Sequence, residues 1–328
     1  MKLDFDPNMN ITKIDYFLGK NNLSRRKVKD LVVVKDIVSN WYDVLLFRFG
    51  LKRNFIMKLR NGNKVKITTK NDYFNWWNTE EGQKSLIKQK KLPTYKISTD
   101  TNMVKFSFNN RKIGLYYDSQ KQLANTIGLV QEQFIEQEYK WLDVVDKAVV
   151  DIGANIGDTA IYFSAKGAKH VYAFEPYPYS YNLAVKNIAE NDFKNSITLF
   201  NIGVGPEISE IRIKADYKNY GGTDLKNFNA GQKIAITTLE DVVKQYKINN
   251  AILKIDCEGC EYGIILNAKK ETLQKFDQIM IEYHYGYKNL IKKLKEAGFK
   301  VKVTIPRFNF NSEAENHNMI VGMIYARL

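Results

Sequence analysis

From Ser24 to about Phe49, apolar residues recur at helical spacing (Val28, Leu31, Val32, Ile37, Trp41, Val44, Leu45), with Ser24 placed to cap the start and Gly50 to stop it. The period then shortens to strict alternation. Phe55-Ile-Met-Lys-Leu-Arg, a turn at Asn61-Gly62-Asn63 and Val65-Lys-Ile-Thr-Thr together predict a hairpin with one shared apolar face. A helical stretch from Tyr73 to Gln89 follows, then a second strand pair, Met103–Phe108 and Lys112–Tyr117, turning at Asn109-Asn110. Residues 1–118 are therefore expected to form a small α+β N-terminal domain.

Beyond residue 119 the pattern becomes a regular alternation of short apolar runs and amphipathic stretches, which predicts an α/β domain over 119–328 with a mostly parallel sheet. Strands are expected near 148–152, 170–175, 197–201, 251–256, 278–283, 299–305 and 319–326. Helices are expected near 120–142, 158–166, 179–191, 237–246, 261–275 and 287–297. The last two strands have no helix between them, so that pair is expected to be antiparallel.

Composition narrows the class. At 328 residues, 44% hydrophobic and 26% charged, with no apolar run of membrane-spanning length, the chain reads as globular. The first 20 residues carry Asp4, Asp6 and Asp15 and no apolar core behind a basic start, so a cytoplasmic location is expected. Cys257 and Cys260 are the only cysteines; two cannot build a disulfide framework, and reduced packing thiols are expected. Net charge is +14, unevenly placed: residues 1–150 hold 27 Lys+Arg against 16 Asp+Glu, and residues 151–328 hold 23 against 20. A basic N-terminal part would attract an anionic partner such as a polysaccharide, a membrane surface or RNA. A lysine-rich solvated surface is the plainer reading.

Three strand ends carry chemistry. At the first, Val149-Val150-Asp151-Ile152-Gly153-Ala154-Asn155-Ile156-Gly157-Asp158 runs an apolar strand into glycines and then a helix. Glu175 follows Asp151 by 24 positions, in Ala173-Phe174-Glu175-Pro176 at the end of the next strand, where a carboxylate takes two ribose hydroxyls. This geometry fits a nicotinamide dinucleotide or S-adenosylmethionine. Asp151 and Asp158 at the loop would repel a pyrophosphate but attract the ammonium and sulfonium of S-adenosylmethionine, which favours the latter.

At the second, Leu253-Lys254-Ile255-Asp256-Cys257-Glu258-Gly259-Cys260-Glu261 ends another apolar strand in three carboxylates, and Asp256 and Glu258 are the candidates for substrate contact. At the third, Ile281-Glu282-Tyr283-His284 supplies a histidine which, near its ordinary pKa, could take a proton from a hydroxyl; a structural histidine is the plainer alternative. Asp256, Glu258, Glu282 and His284 include metal-ligating types, but no spacing here specifies a metal site, and none is assigned.

Taken together, V-V-D-I-G-A-N-I-G-D at 149–158, A-F-E-P at 173–176, T-T-L-E-D at 237–241, L-K-I-D-C-E-G-C-E at 253–261 and I-E-Y-H at 281–284 resemble the FkbM family of S-adenosylmethionine-dependent methyltransferases. The resemblance spans roughly residues 130–328 and departs at Cys257 and Cys260, where small apolar residues are common. It implies a Rossmann-like class I methyltransferase domain with a seven-stranded, mostly parallel sheet. The implied activity is methyl transfer to oxygen, often to a sugar or glycan hydroxyl. It implies cofactor contacts by Asp151, Gly153, Asn155, Gly157 and Glu175, with Ala154, Asp158 and Pro176 in the same motifs, and a D-x-E-G segment at Asp256 and Glu258. Catalysis is then expected from Asp256, Glu258 and His284, with either His284 or a carboxylate as the base. An RNA methyltransferase with a phosphate-tracking N-terminal domain is the main alternative, ahead of a binding protein without turnover and of a nicotinamide oxidoreductase.

Overall fold

The computed structural model describes residues 10, 34–35, 37–48, 51–69, 72–73, 76, 96–98, 101–213, 229–309 and 319–328. They belong to two compact units, Asn22–Tyr95 and the remainder of the chain. In the smaller unit, helix α1 (Trp41–Arg48) accompanies a hairpin of β1 (Phe55–Lys58) and β2 (Lys64–Ile67). The alternation seen in the sequence is the burial pattern: Phe55, Met57 and Ile67 join Val38, Val44, Phe47 and Trp76 in a core, while Ile56, Lys58, Lys64 and Lys66 lie on the other face. Asn40 ties the helix start to the strand edge, donating to the Ile56 carbonyl and accepting from the Lys58 N–H, both at 2.8 Å. The expected helix start at Ser24 and most of the stretch Tyr73–Gln89 lie outside the described residues.

The larger unit opens with an antiparallel sheet of β3 (Lys96–Ser98), β4 (Met103–Phe108) and β5 (Arg111–Tyr116). Helix α2 (Gln120–Leu129) follows, capped by the Ser119 side chain, and widens into a π-helical stretch, Val130–Ile135. Next come β6 (Ala148–Ile152), α3 (Asp158–Ala165), β7 (His170–Phe174), α4 (Pro178–Glu190) and β8 (Ile197–Phe200). A small sheet is formed by β9 (Gly203–Gly205), β10 (Ser209–Ile213) and β11 (Gln232–Thr238). The chain ends with α5 (Leu239–Gln245), β12 (Ala251–Ile255), α6 (Cys260–Asn267), α7 (Lys270–Leu273), β13 (Phe276–Tyr283), α8 (Lys288–Glu296), β14 (Lys300–Val303), β15 (Arg307–Asn309) and β16 (Met319–Arg327).

The main sheet runs β14-β16-β13-β12-β6-β7-β8, with β15 beside β16. Neighbours from β13 to β8 are parallel, and β16 is antiparallel to both β13 and β14. This is the seven-stranded class I methyltransferase sheet expected from the sequence. The five residues of β12 are all buried, as a strand covered on both faces requires, and its side chains meet Val150, Ile152, Ile279 and Ile281 in one core. After β6 the chain builds the sheet outward through β7 and β8; β12 and β13 return on the other side. The order therefore reverses at β6, and the crevice beyond the strand ends opens there.

Two expectations are corrected. The domain boundary falls at residue 95, not 118, because the β3–β5 sheet packs on the larger unit: the Gly114 and Tyr116 N–H groups donate to the side chains of Asn191 and Asn187 at 2.9 and 2.8 Å, and Phe106 meets Phe134 edge-on. Asn10 belongs there too. Its carbonyl accepts from Tyr287 and Lys288, satisfying the first donors of α8, which has no cap of its own. The helix expected over 120–142 ends at 135; a turn with Gln137 at φ 50° then carries the chain to Tyr139.

Candidate functional site

A glycine is required where β6 ends. Gly153 has φ 80°, and a Cβ there would lie 1.8 Å from the Asp256 carbonyl, so only glycine lets the ends of β6 and β12 come this close. The Asp256 N–H bonds to the Ile152 carbonyl at 3.0 Å, and the N–H groups of Gly153 and Ala154 bond to the Phe174 carbonyl. Three strand ends are thus laced together around one loop.

Beneath the loop lies a buried ion pair. Lys254 is 1% exposed and Asp151 0%; the ammonium stands 3.0 Å from Asp151 Oδ1 and donates to the Gly153 carbonyl at 2.7 Å. Thr159 donates to Asp151 Oδ2 at 2.6 Å. Burial works against the charged amine, but Asp151, with Asp256 and Asp158 behind it, more than offsets that, so the pKa of Lys254 is raised. Asp158 is buried at the start of α3, and desolvation raises its pKa to about 7. The direct attraction of a cofactor cation expected of Asp151 and Asp158 is therefore corrected: Asp151 holds the loop from below, and neither residue lines the cleft.

The cleft itself, with an empty volume of about 680 Å³, is bounded by Gly153 and Asn155, by Glu175, Pro176 and Tyr177, by Gly203 and Val204, and by Asp256, Cys257, Glu258 and Cys260. Glu175 accepts the N–H groups of Asn155 and Tyr177 at 2.8 Å each, which leaves one lone pair on each oxygen for a diol. Burial raises its pKa to about 8 despite those bonds. Of the expected cofactor residues, Gly153, Asn155, Glu175 and Pro176 reach the cleft; Ala154 and Gly157 shape the loop behind it.

Across the cleft, β12 and β13 end in a dense set of charges. Asp256 is 25% exposed, and its Oδ2 accepts from the Tyr139 hydroxyl at 3.5 Å. His284 is buried, with Nε2 3.1 Å from Glu258 and 3.9 Å from Asp256, and Nδ1 3.0 Å from Glu261. Burial opposes the charged ring, but hydrogen bonds to Glu258 and Glu261 outweigh it and lift the pKa to about 11. The expectation of a histidine near its ordinary pKa is corrected: its two close carboxylates favour the charged form of the ring. Asp256 is pushed up, by burial first and then by Glu258, against the pull of Lys254. Glu282 is pushed well above the carboxylate range by burial and by Asp256, although Arg307 pairs with it at 2.9 Å.

Asp256, Glu282 and His284 each offer an atom within 4.8 Å of the others. A further correction concerns the cysteines: Cys257 and Cys260 are joined in a disulfide across the turn that links β12 to α6, their Cα atoms 5.5 Å apart. Lys254, Tyr139, Tyr177 and Arg307 were not singled out from the sequence. Only Lys254 left a signal, as a lone charge inside an apolar strand.

Residues 151–301 match the methyltransferase FkbM domain. Uncharacterized protein 158B of Sulfolobus islandicus rod-shaped virus 1 is 29% identical over 164 residues, 48% of this chain and 76% of that protein. The methyltransferase FkbM of Methylobacillus flagellatus KT covers 64% of this chain and 55% of its own at 14% identity and a TM-score of 0.38. M. jannaschii TYW2, solved in complex with AdoMet, covers 70% and 89% at 14% identity and a TM-score of 0.36. The matched segment begins at Asp151 and contains every strand end that lines the cleft, so the match to the methyltransferase FkbM domain and the cleft fall on the same residues.

Proposed function

We propose that the protein transfers the methyl group of S-adenosylmethionine to a hydroxyl of a sugar, a glycan or a related small molecule. One observation carries this reading: a single cleft at the reversal of strand order has one buried carboxylate, Glu175, on one wall and another of raised pKa, Asp256, on the other, which suits them to a ribose diol and to an acceptor proton. Glu175 would take the ribose hydroxyls, and Gly153 and Asn155 would face the amino-acid end. The cofactor supplies an electrophilic methyl group on sulfur.

The chain's own residues then align an acceptor oxygen and remove its proton. Asp256, with its pKa raised toward that of its task, is the base, and Tyr139 orients its carboxylate. The His284 imidazolium, fixed between Glu258 and Glu261, stabilises the charge that develops beside it. Positioning the acceptor oxygen against the methyl group is what these residues would contribute to the rate, beside removal of the proton.

The test is transfer of radiolabelled methyl from S-adenosylmethionine into separated glycan, lipid, RNA and protein fractions of the source cell. Label in the glycan or lipid-linked sugar fraction is expected; label confined to protein would overturn the reading. A second reading, RNA as the acceptor, is favoured by the charge of Asn22–Tyr95, which holds 17 Lys+Arg against 6 Asp+Glu. It requires label in RNA and binding that weakens steeply with salt.

A further inference from the structure

We propose that Cys257 and Cys260 form a thiol–disulfide exchange site that sets the position of Glu258 in the cleft, with a small dithiol as its reductant. What the exchange controls rests on the methyl-transfer reading above; the exchange itself does not.

The two sulfurs close the turn between β12 and α6, and inside it Glu258 and Gly259 adopt φ 56° and 120°. For glycine that conformation is ordinary; for Glu258 it is strained and needs a constraint to persist. The constrained turn aims Glu258 at His284 Nε2, 3.1 Å away. Asp256 precedes the first cysteine and Glu261 follows the second. Each carboxylate that meets His284 at ion-pair distance among the described residues therefore lies within or beside the disulfide loop. Both cysteines are half-buried and line the cleft, so a small reagent that enters it reaches them.

The exchange balances without help from any other group. A dithiol gives up two protons and two electrons and becomes a cyclic disulfide, the Cys257–Cys260 bond breaks, and each sulfur leaves as a thiol. Sulfurs three positions apart reclose readily on a mixed disulfide, which is why a dithiol and not a monothiol is the reductant class. Once open, the turn no longer holds Glu258 in its strained conformation, and His284 keeps Glu261 as its near partner.

The experiment uses the full chain equilibrated with dithiothreitol or with its oxidised cyclic form, and the Cys257→Ser/Cys260→Ser variant in both. Alkylation should find both cysteines after reduction and neither after oxidation. The His284 ring, followed by NMR, should titrate near 11 when oxidised and move down by about 1–3 on the pH scale when reduced, as loss of one close carboxylate requires. Methyl transfer into whichever cell fraction takes label should fall about tenfold or more on reduction, as a displaced site group entails. The double variant should match the reduced protein in both buffers. Cysteines that stay open to alkylation after oxidation, a His284 titration indifferent to redox state, or unchanged turnover would each overturn the proposal. If no fraction takes label in either state, the methyl-transfer reading fails, while alkylation and the His284 titration still decide the exchange site.

Discussion

The two units of this chain handle charge in opposite ways. Asn22–Tyr95 carries 17 Lys+Arg against 6 Asp+Glu, and the rest of the chain 33 against 30. In the small unit the lysines of the hairpin lie in the open, and Lys58 stands directly opposite Lys64 across the two strands. In the larger unit the decisive cations are inside and matched: Lys254 to Asp151, His284 to Glu258 and Glu261. A basic protein thus has an acidic working edge. Net charge reports the surface of one unit and says nothing of the cleft in the other.

Removing a buried charge breaks this comparison hardest. Lys254→Met leaves the buried Asp151 without its cation, and a loss of about 3–5 kcal/mol in unfolding free energy is expected from urea titration. Adding Asp151→Leu should recover most of that loss, because a matched apolar pair of similar volume avoids the uncompensated charge. Cofactor affinity should stay low in the double variant, since the Gly153 carbonyl has lost its donor. A double variant that binds S-adenosylhomocysteine normally would show that the pair serves stability alone.

The next effect concerns rate. Asp256→Asn keeps the size of the side chain and removes the base; turnover should fall by roughly 10²–10⁴-fold. S-adenosylhomocysteine affinity, measured by calorimetry, should change little, because the proposed ribose and loop contacts come from Glu175, Gly153 and Asn155. A smaller effect separates the two walls of the cleft by pH. Glu175 in the free protein titrates near 8 because it is buried, so below that pH it is protonated and cannot accept both hydroxyls of a ribose. Binding to the ionised form releases a proton. S-adenosylhomocysteine affinity should therefore fall as pH drops below 8, by up to about tenfold per pH unit, and level off above it. Glu175→Gln should bind weakly and with no such slope.

The strand ends were readable because β6, β7, β12 and β13 are apolar runs bounded by glycine and carboxylate residues, a pattern that both burial and ligand approach impose. Gly153, Asn155, Glu175, Pro176, Asp256 and Glu258, read from that pattern, all line the cleft. What a spacing cannot convey is which partner each charge finds. Asp151 looked like a ligand for a cation and met Lys254, a charge inside the next motif; His284 looked like a base and met two carboxylates. Tyr139 arrives from a turn after a π-helical stretch that reads as plain helix, so nothing local marked it. The domain boundary was misplaced for a similar reason: Met103–Tyr116 is a hairpin in sequence, but its partners, Asn187 and Asn191, are about 70 positions away.

The smallest expected effect tests the open side of the comparison. Lys58 and Lys64 face each other in register, an arrangement that disfavours the hairpin while no anion lies between them. Lys64→Glu turns repulsion into attraction and should stabilise the small unit by about 0.2–1 kcal/mol at low salt. The gain should shrink in 1 M salt, where the screening length falls to about 3 Å. The same substitution reverses one charge on a surface that the RNA reading needs. Under that reading, RNA binding should weaken and its dependence on salt should flatten by the equivalent of about one phosphate contact or more. If stability rises while the salt slope stays as it was, this face of the hairpin takes no part in holding RNA, and its lysines are solvated charge.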